Sequence, residues 1–260
     1  MADQISLTKQ GHVGIIRFQR PEKLNAMTVA MDKRINEMVF EINNDSEIRS
    51  VLLTAEGTKA FCAGSDITDL DEYGNNWEYR NRFDAGLDYA RAIYLIRKPV
   101  VAAIFGFCIG GGLEMATASD IRLAAPDAKF GAGEIKWGWH GGSGQTQFLT
   151  HAIGPGNAAR LLLTGDLIDA QTALRYGLVQ EIHPRDELED RALELAVSIT
   201  EKSPIAIQMS KRMIRVAQNT SLDVGLLVEN DSFAYCMTTA DAKEGQRAFA
   251  EKRTPHFEGR

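Results

Sequence analysis

Across 260 residues there are only three cysteines, Cys62, Cys108 and Cys236, far apart and in no C-x-x-C pair. Neither a disulfide framework nor a zinc knuckle is indicated, and a reducing compartment fits best. A basic excess is also lacking. Twenty-nine Lys and Arg against 35 Asp and Glu leave a net charge of −6, which works against a general nucleic-acid binder or an anionic-membrane clamp. The longest run free of both charged residues and histidine, Pro99 to Leu113, falls short of the ~20 residues that span a bilayer. The opening MADQISLTK places Asp3 and Gln4 where a signal peptide needs an apolar core. Five histidines, His12, His140, His151, His183 and His256, show no paired metal-ligand spacing. Internal repeats and low-complexity tracts are absent. What remains is a soluble, cytoplasmic, globular chain with no nucleic-acid or membrane partner.

The chain opens as a hairpin, with strands at 5–9 and 13–18 around Gln10-Gly11. Beyond RPEKLNAM, the residues Met31, Ile35, Met38, Val39 and Ile42 recur at helical spacing behind Thr28, a suitable N-cap. Strand and helix then alternate. Strands are expected at 50–54, 100–105, 120–124 and 178–182, and helices at 78–96, 111–118, 145–153 and 156–163. This α/β section ends near His183-Pro184, dividing the chain into a body of 1–185 and a helical region of 186–260. In the second part Leu188, Ala192, Leu195, Ala196 and Ile199 line one helical face, with Asp186 and Glu189 placed as a capping box. Helices at 205–218, 222–237 and 240–251 carry apolar faces too large for a short tail to bury alone. Packing on the body or on another subunit is expected.

Gly110-Gly111-Gly112 follows an apolar strand and opens a helix containing Glu114. Backbone N–H groups there face whatever binds, although a tight turn alone would also ask for glycine. The dinucleotide pattern G-x-G-x-x-G is missing, since after Gly131-Ala132-Gly133 its last glycine is Lys136. A second small-residue loop, Phe61-Cys62-Ala63-Gly64-Ser65-Asp66, can offer the N–H of Ser65 to the same ligand oxygen. Cys62 in it reads as a packed residue rather than a nucleophile, because no charged partner adjoins it in sequence. Glu114 and Glu134 each adjoin a glycine-rich segment, and two carboxylates of unequal pKa are a common source of one acid and one base. Taken singly, either reads as an ordinary surface charge. The run Gly141-Gly142-Ser143-Gly144-Gln145 misses the serine-hydrolase elbow G-x-S-x-G at its last position. His140 reads as a structural or surface histidine of the same loop.

Taken together, RPEKLNAM, AFCAGSDI, FCIGGGLEMATASDIRLA, KFGAGEI and FAEKRTPHF resemble the crotonase family, specifically its enoyl-CoA hydratases. The likeness covers nearly the whole chain. It implies an α/β spiral of β-β-α turns, followed by a C-terminal helical region that builds a trimer, often a dimer of trimers. It also implies that the backbone N–H groups of Ser65 and Gly111 hold the thioester carbonyl of an acyl-CoA. Glu114 and Glu134 would then serve as base and acid in adding water to a 2-enoyl-CoA, with no metal or redox cofactor. Coenzyme A, carried by the substrate, would meet Lys23, Leu24, Ala26, Ala63, Ser65, Asp66, Ile67 and Thr68, with Lys59 as a second cation. Phe249 and Lys252 of a neighbouring subunit would close over the nucleotide of the homotrimer or homohexamer.

Three departures from the family pattern adjoin the acyl pocket: Gly133 for a proline, Gly141-Gly142 for Pro-Gly, and Gly144-Gln145-Thr146-Gln147 for Gly-Gly-Thr-Gln. Trp137 and Trp139, with Tyr73 or Trp77, are candidates to shape the pocket; core packing is the alternative. A double-bond isomerase or a hydratase of an aromatic or cyclic acyl-CoA is the competing reading within the fold. A non-catalytic acyl-CoA or RNA binder and a serine hydrolase through Ser143 stand further off.

Overall fold

The structure, a computed structural model, describes residues 4–69 and 88–260. Two sheets grow side by side. The larger has the order β1 (Ile5–Gln10), β2 (Val13–Phe18), β3 (Ser50–Ala55), β5 (Val100–Ile104), β7 (Ile121–Ala124) and β10 (Glu181–Ile182). The smaller has the order β4 (Ala60–Cys62), β6 (Phe107–Ile109), β8 (Lys129–Gly131) and β9 (Leu167–Asp169). β1 and β2 form the expected antiparallel hairpin, and β2, β3, β5, β7 and β10 then run parallel. Each circuit lays one strand in the large sheet and the next in the small one: β3 then β4, β5 then β6, β7 then β8. This is the spiral of β-β-α turns that the family resemblance implied.

The central strands SVLLTA and VVAAI are buried along their whole length, which requires cover on both faces. One cover is helix α1 (Val29–Asn44), capped as expected by the Thr28 side chain accepting the Met31 N–H at 3.2 Å. Its Ile35, Met38 and Ile42 enter the main core, and the buried Lys98 ammonium donates to the closing carbonyls of Ile42 and Asp45 at 2.9 Å. Another is α6 (Leu188–Thr200), which lays Leu188, Ala192 and Ala196 on β3 and β5. Small residues permit that approach, and Ser50 Oγ donates to the Ala196 carbonyl at 2.8 Å. The region 186–260 is therefore not uniform, since its first helix belongs to the sheet.

The capping box expected ahead of α6 is not formed. Glu187 occupies the N-cap without a side-chain bond, while Glu189 binds Arg17 at 2.6 and 2.9 Å and Thr54 at 3.1 Å. An ion pair across the sheet outcompetes a local cap, and the guanidinium pulls the Glu189 carboxyl below its usual range. The strand expected at 178–182 shrinks to two residues, because the N–H groups of Leu178 and Val179 bond the Ala173 carbonyl and wrap the end of α5 (Ala170–Tyr176). The helices expected at 145–153 and 156–163 are both present, as the two limbs of α4 (Gln145–Thr164) on either side of non-helical Gly154 (φ 76°) ahead of Pro155. Of the helix expected at 78–96, the structure describes α2 (Tyr89–Leu95); residues 78–87 lie outside the described residues.

Beyond α6 come α7 (Pro204–Asn219), α8 (Leu222–Met237) and α9 (Ala240–Glu251). The buried Lys211 of α7 is one tie to the body, donating to the Lys98 carbonyl at 2.8 Å and pairing with Asp120 at 2.5 Å, and Arg215 of the same helix stacks on Tyr94. Buried Asp241 fastens the chain end, accepting from Ser203 Oγ and from the N–H groups of Glu258 and Gly259. α8 has no buried residue, and Leu222, Leu226, Leu227 and Phe233 are exposed. Among the described residues no helix is long and apolar enough to cross a membrane, and Cys62, Cys108 and Cys236 are free thiols.

Candidate active site

RPEKLNAM and AFCAGSDI, distant in sequence, are zipped together. After a 3-10 turn at Pro21–Lys23, Leu24 and Asn25 both adopt left-handed backbone (φ 53° and 55°). The side chain of Asn25, wholly buried, holds this reversal: it donates to the Glu56 and Ala60 carbonyls and accepts the Arg20 N–H, each at 2.9 Å. The reversal presents Leu24 and Met27 to the second loop. Ala63 N–H bonds the Leu24 carbonyl, Met27 N–H the Gly64 carbonyl and Asp66 N–H the Met27 carbonyl. In such a parallel ladder alternate N–H groups are engaged, and that of Ser65 finds no acceptor among the described residues. The Asp66 side chain faces inward, bound by Thr68 at 2.7 Å and by Arg20 at 2.6 Å, which together pull its carboxyl down to about 2. Ile67, Thr68, Lys23 and Lys59 are exposed along the same edge.

The second wall is the turn from β6 into helix α3 (Gly111–Ala118). Gly110 sits at φ 55°, and a β-carbon at Gly112 would run into the Cys62 carbonyl. That contact presses α3 against the first loop, and a β-carbon on Gly64 would lie 3.1 Å from the Gly111 nitrogen. As the first residue of the helix, Gly111 has an N–H with no intrahelical partner. Two N–H donors without an acceptor among the described residues, on Ser65 and Gly111, thus sit on adjoining stretches of backbone, an arrangement able to receive one anionic oxygen.

Glu114 lies in the first turn of α3 and is 2% exposed. Its Oε1 accepts the Ser143 N–H at 3.0 Å, and its Oε2 accepts the Tyr89 hydroxyl at 3.2 Å. Glu134 sits in the 3-10 turn Gly133–Trp137, with Oε1 accepting Gln145 Nε2 at 3.0 Å. That oxygen abuts Gly110, where a β-carbon would lie 3.0 Å away. Its Oε2 is shut off from solvent and finds no hydrogen-bond partner among the described residues. Burial pushes the Glu134 carboxyl up, and the opposing pull of its backbone, Gln145 and His140 is smaller. Ser143 and Gln145, two residues apart, thereby tie both glutamates to one loop.

The Gln145 side chain folds back over Gly141, into the space a β-carbon there would need. Two of the departures noted in sequence are thus one packing solution. Reading the sequence missed Tyr89 as a member of the site, and it placed Gln145 beside the acyl pocket without its bond to Glu134. Tyr89 lies at helical spacing with Ile93 and Ile96, so its pattern reads as core, and the Gln145 contact depends on a fold-back that no spacing announces. Cys62 is wholly buried, with its thiol pushed up to about 12, so thiolate chemistry is disfavoured. Trp137 and Trp139 are 74% and 49% exposed, which removes the core-packing alternative for them; Tyr73 and Trp77 lie outside the described residues. Phe249, 87% exposed, and Lys252 belong to the end of α9, which packs on α8, and so stand apart from this cluster within one chain. Among the described residues no group of three His, Cys, Asp or Glu could hold a metal ion.

Comparison with known proteins matches residues 8–260 to the family model described as enoyl-CoA hydratase/isomerase. A short-chain-enoyl-CoA hydratase of Clostridium acetobutylicum is 38% identical over 96% of each chain. A crotonyl-CoA hydratase of Syntrophomonas wolfei is 36% identical over 98% of each. The crystal structure of an enoyl-CoA hydratase from Bacillus anthracis superposes with a TM-score of 0.92 at 34% identity, covering 99% of this chain and all of the other.

Proposed function

The chain belongs to the enoyl-CoA hydratase/isomerase family and is an enoyl-CoA hydratase, a hydro-lyase; on that premise we propose how its residues divide the chemistry. The thioester oxygen of the substrate accepts the Ser65 and Gly111 N–H groups. As water adds to the 3-carbon, charge moves onto that oxygen as an enolate, which fixed donors stabilise more than they do the neutral carbonyl. Glu114 takes the proton released by the attacking water, and Glu134 delivers a proton to the 2-carbon, giving the 3-hydroxyacyl-CoA. Proton exchange between the two carboxyl groups, directly or through solvent, restores the starting state.

The observation that carries this division is the unequal hydrogen bonding of the two carboxyl groups. Glu114 accepts at both oxygens, which favours its anion, whereas Glu134 has one donor and one buried orphan oxygen, which favours its acid. Gln145 can only donate through Nε2, so the Glu134 proton sits on Oε2. Every step is a proton transfer or a hydrogen bond from this chain, with no role for a metal or redox cofactor.

Coenzyme A lies, in this reading, along the edge formed by Lys23, Leu24, Ala26, Ala63 and Ser65–Thr68, with Lys23 and Lys59 near its phosphates and Asp66 bracing the loop from inside. The body of 1–185 carries this site. Helices α7–α9 assemble it into a homotrimer or homohexamer in which Phe249 and Lys252 reach a neighbour's nucleotide; the exposed apolar residues of α8 and the exposure of Phe249 support this. Three free thiols fit a cytoplasmic setting. The exposed pair Trp137 and Trp139, beside Glu134, favours one second reading: an aromatic or cyclic acyl group as the preferred substrate.

The deciding experiment incubates the purified protein with 2-enoyl, 3-enoyl and aromatic acyl-CoA thioesters and follows product mass. A gain of one water on a 2-enoyl thioester is expected. Unchanged mass with a moved double bond would overturn hydration in favour of isomerisation, and the preferred thioester identifies the acyl class.

A further inference from the structure

We propose that Tyr89 is a positioning residue of this site: its hydroxyl, seated on Ser65, aims and holds Glu114 as an anion, coupling the base to the loop that carries one of the two oxygen-binding N–H groups. The proposal rests on Glu114 being the base.

Tyr89 opens α2 behind Asp88, whose carboxylate accepts the Arg91 N–H at 2.7 Å and so fixes the start of the helix. The ring is buried, 5% exposed, and its hydroxyl reaches three parts of the site. It lies 2.9 Å from Ser65 Oγ and 3.2 Å from Glu114 Oε2, and a β-carbon on Gly111 would collide with it. With the phenolic hydrogen directed at Glu114, Ser65 Oγ donates to the phenolic oxygen. The result is a chain from Ser65 through Tyr89 to Glu114, in which each link polarises the next. Ser143 N–H occupies the other oxygen at 3.0 Å, so rotation of the carboxylate would break two bonds at once.

Among the described residues, the Tyr89 O–H and the Ser143 N–H donate to Glu114. Tyr89 comes from α2, and the Cys62 thiol from β4 is kept neutral by burial. Glu134 abuts Gly110 through Oε1, and His140 acts on Glu134. Removing the phenolic O–H therefore weakens the anion of Glu114 and leaves the aromatic ring in place.

The test is Tyr89→Phe in the full-length protein, with kcat and KM for a short-chain 2-enoyl-CoA measured across pH. The expected result is a fall in kcat of about 10- to 100-fold with KM changed less than about threefold. The acid limb of the kcat/KM profile should move by about one pH unit toward alkaline, since a base that has lost a donor holds its proton to higher pH. Ser65→Ala, which retains the backbone N–H, should move the limb the same way by a smaller amount. An unmoved acid limb in Tyr89→Phe, whatever its kcat, overturns the proposal, as does a loss confined to KM. Should Tyr89→Phe fail to fold by circular dichroism, Ser65→Ala decides: an unmoved limb there overturns the proposal equally. Failure of the functional reading is distinguishable, because the unmodified protein would then hydrate no 2-enoyl-CoA.

Discussion

The two glutamates stand in neighbourhoods built on opposite principles. Glu114 belongs to a helix whose eight residues are all buried, pressed by Gly112 onto the Cys62 carbonyl and by Gly111 onto the Tyr89 hydroxyl. Glu134 belongs to a five-residue 3-10 turn with no fully buried residue, held by a single side-chain amide and ending in exposed Trp137, with exposed Trp139 two residues on. A group that must stay ionised is best served by rigid donors that cost no reorganisation, and close packing supplies them. A group that must hold and release a proton needs partial desolvation instead, which a turn against one glycine achieves. The contrast also separates what is fixed by the chemistry from what is free to follow the acyl group.

The largest effect that can break this comparison is exchange of either carboxylate for its amide. Glu114→Gln and Glu134→Gln should each lower kcat by about a thousandfold or more while acyl-CoA binding stays within about threefold. They should differ in stability. Holding a partly buried carboxyl with a raised pKa disfavours the folded state above that pKa, so Glu134→Gln should unfold at an equal or higher temperature than the parent at alkaline pH. Glu114→Gln gains no such relief. Near-normal hydration by either variant would sink the assigned roles, and matching thermal shifts would erase the contrast between their surroundings.

A smaller effect tests packing alone. Gly112→Ala places a β-carbon against the Cys62 carbonyl and must separate the helix from the loop, costing about 2–4 kcal/mol. Gly133→Ala meets nothing within 4 Å at negative φ and should change stability by less than about 0.5 kcal/mol. Urea midpoints of the two variants check this. Equal losses would mean that the turn is as tightly packed as the helix.

The same contrast governs what could be read from sequence. α3, α8 and α9 begin and end at the expected residues, with Gly110, Ser221 and Thr239 standing at their N-caps as the sequence indicates. The three-residue strands β4, β6, β8 and β9 leave no period to detect; the register that joins them comes from the spiral, not from their own residues. The Asp186–Glu189 cap fails for a related reason, since Arg17, distant in sequence, claims Glu189. In the site, glycines and glutamates are legible because their chemistry is unusual at those places. Tyr89 is not, because a buried tyrosine at helical spacing looks like core until its hydroxyl is seen to end on a carboxylate.

Gln145 offers the smallest and most specific test of the Glu134 side. Its amide donates to Glu134 Oε1, and a hydrogen bond to the anion lowers a carboxyl pKa, opposing the larger effect of burial. Gln145→Leu keeps much of the volume and removes the donor, so the Glu134 pKa should rise further. Because Glu134 acts as the acid, its working form is the protonated one, and activity fails on the alkaline side when that proton is lost. The alkaline limb of the kcat/KM profile should therefore move to higher pH, while the acid limb set by Glu114 stays in place, and kcat should fall by less than about tenfold. A shift of the alkaline limb to lower pH would mean that Gln145 stabilises the protonated carboxyl instead. Movement of the acid limb alone would exchange the roles of the two glutamates, and the contrast between helix and turn would then have to be read the other way round.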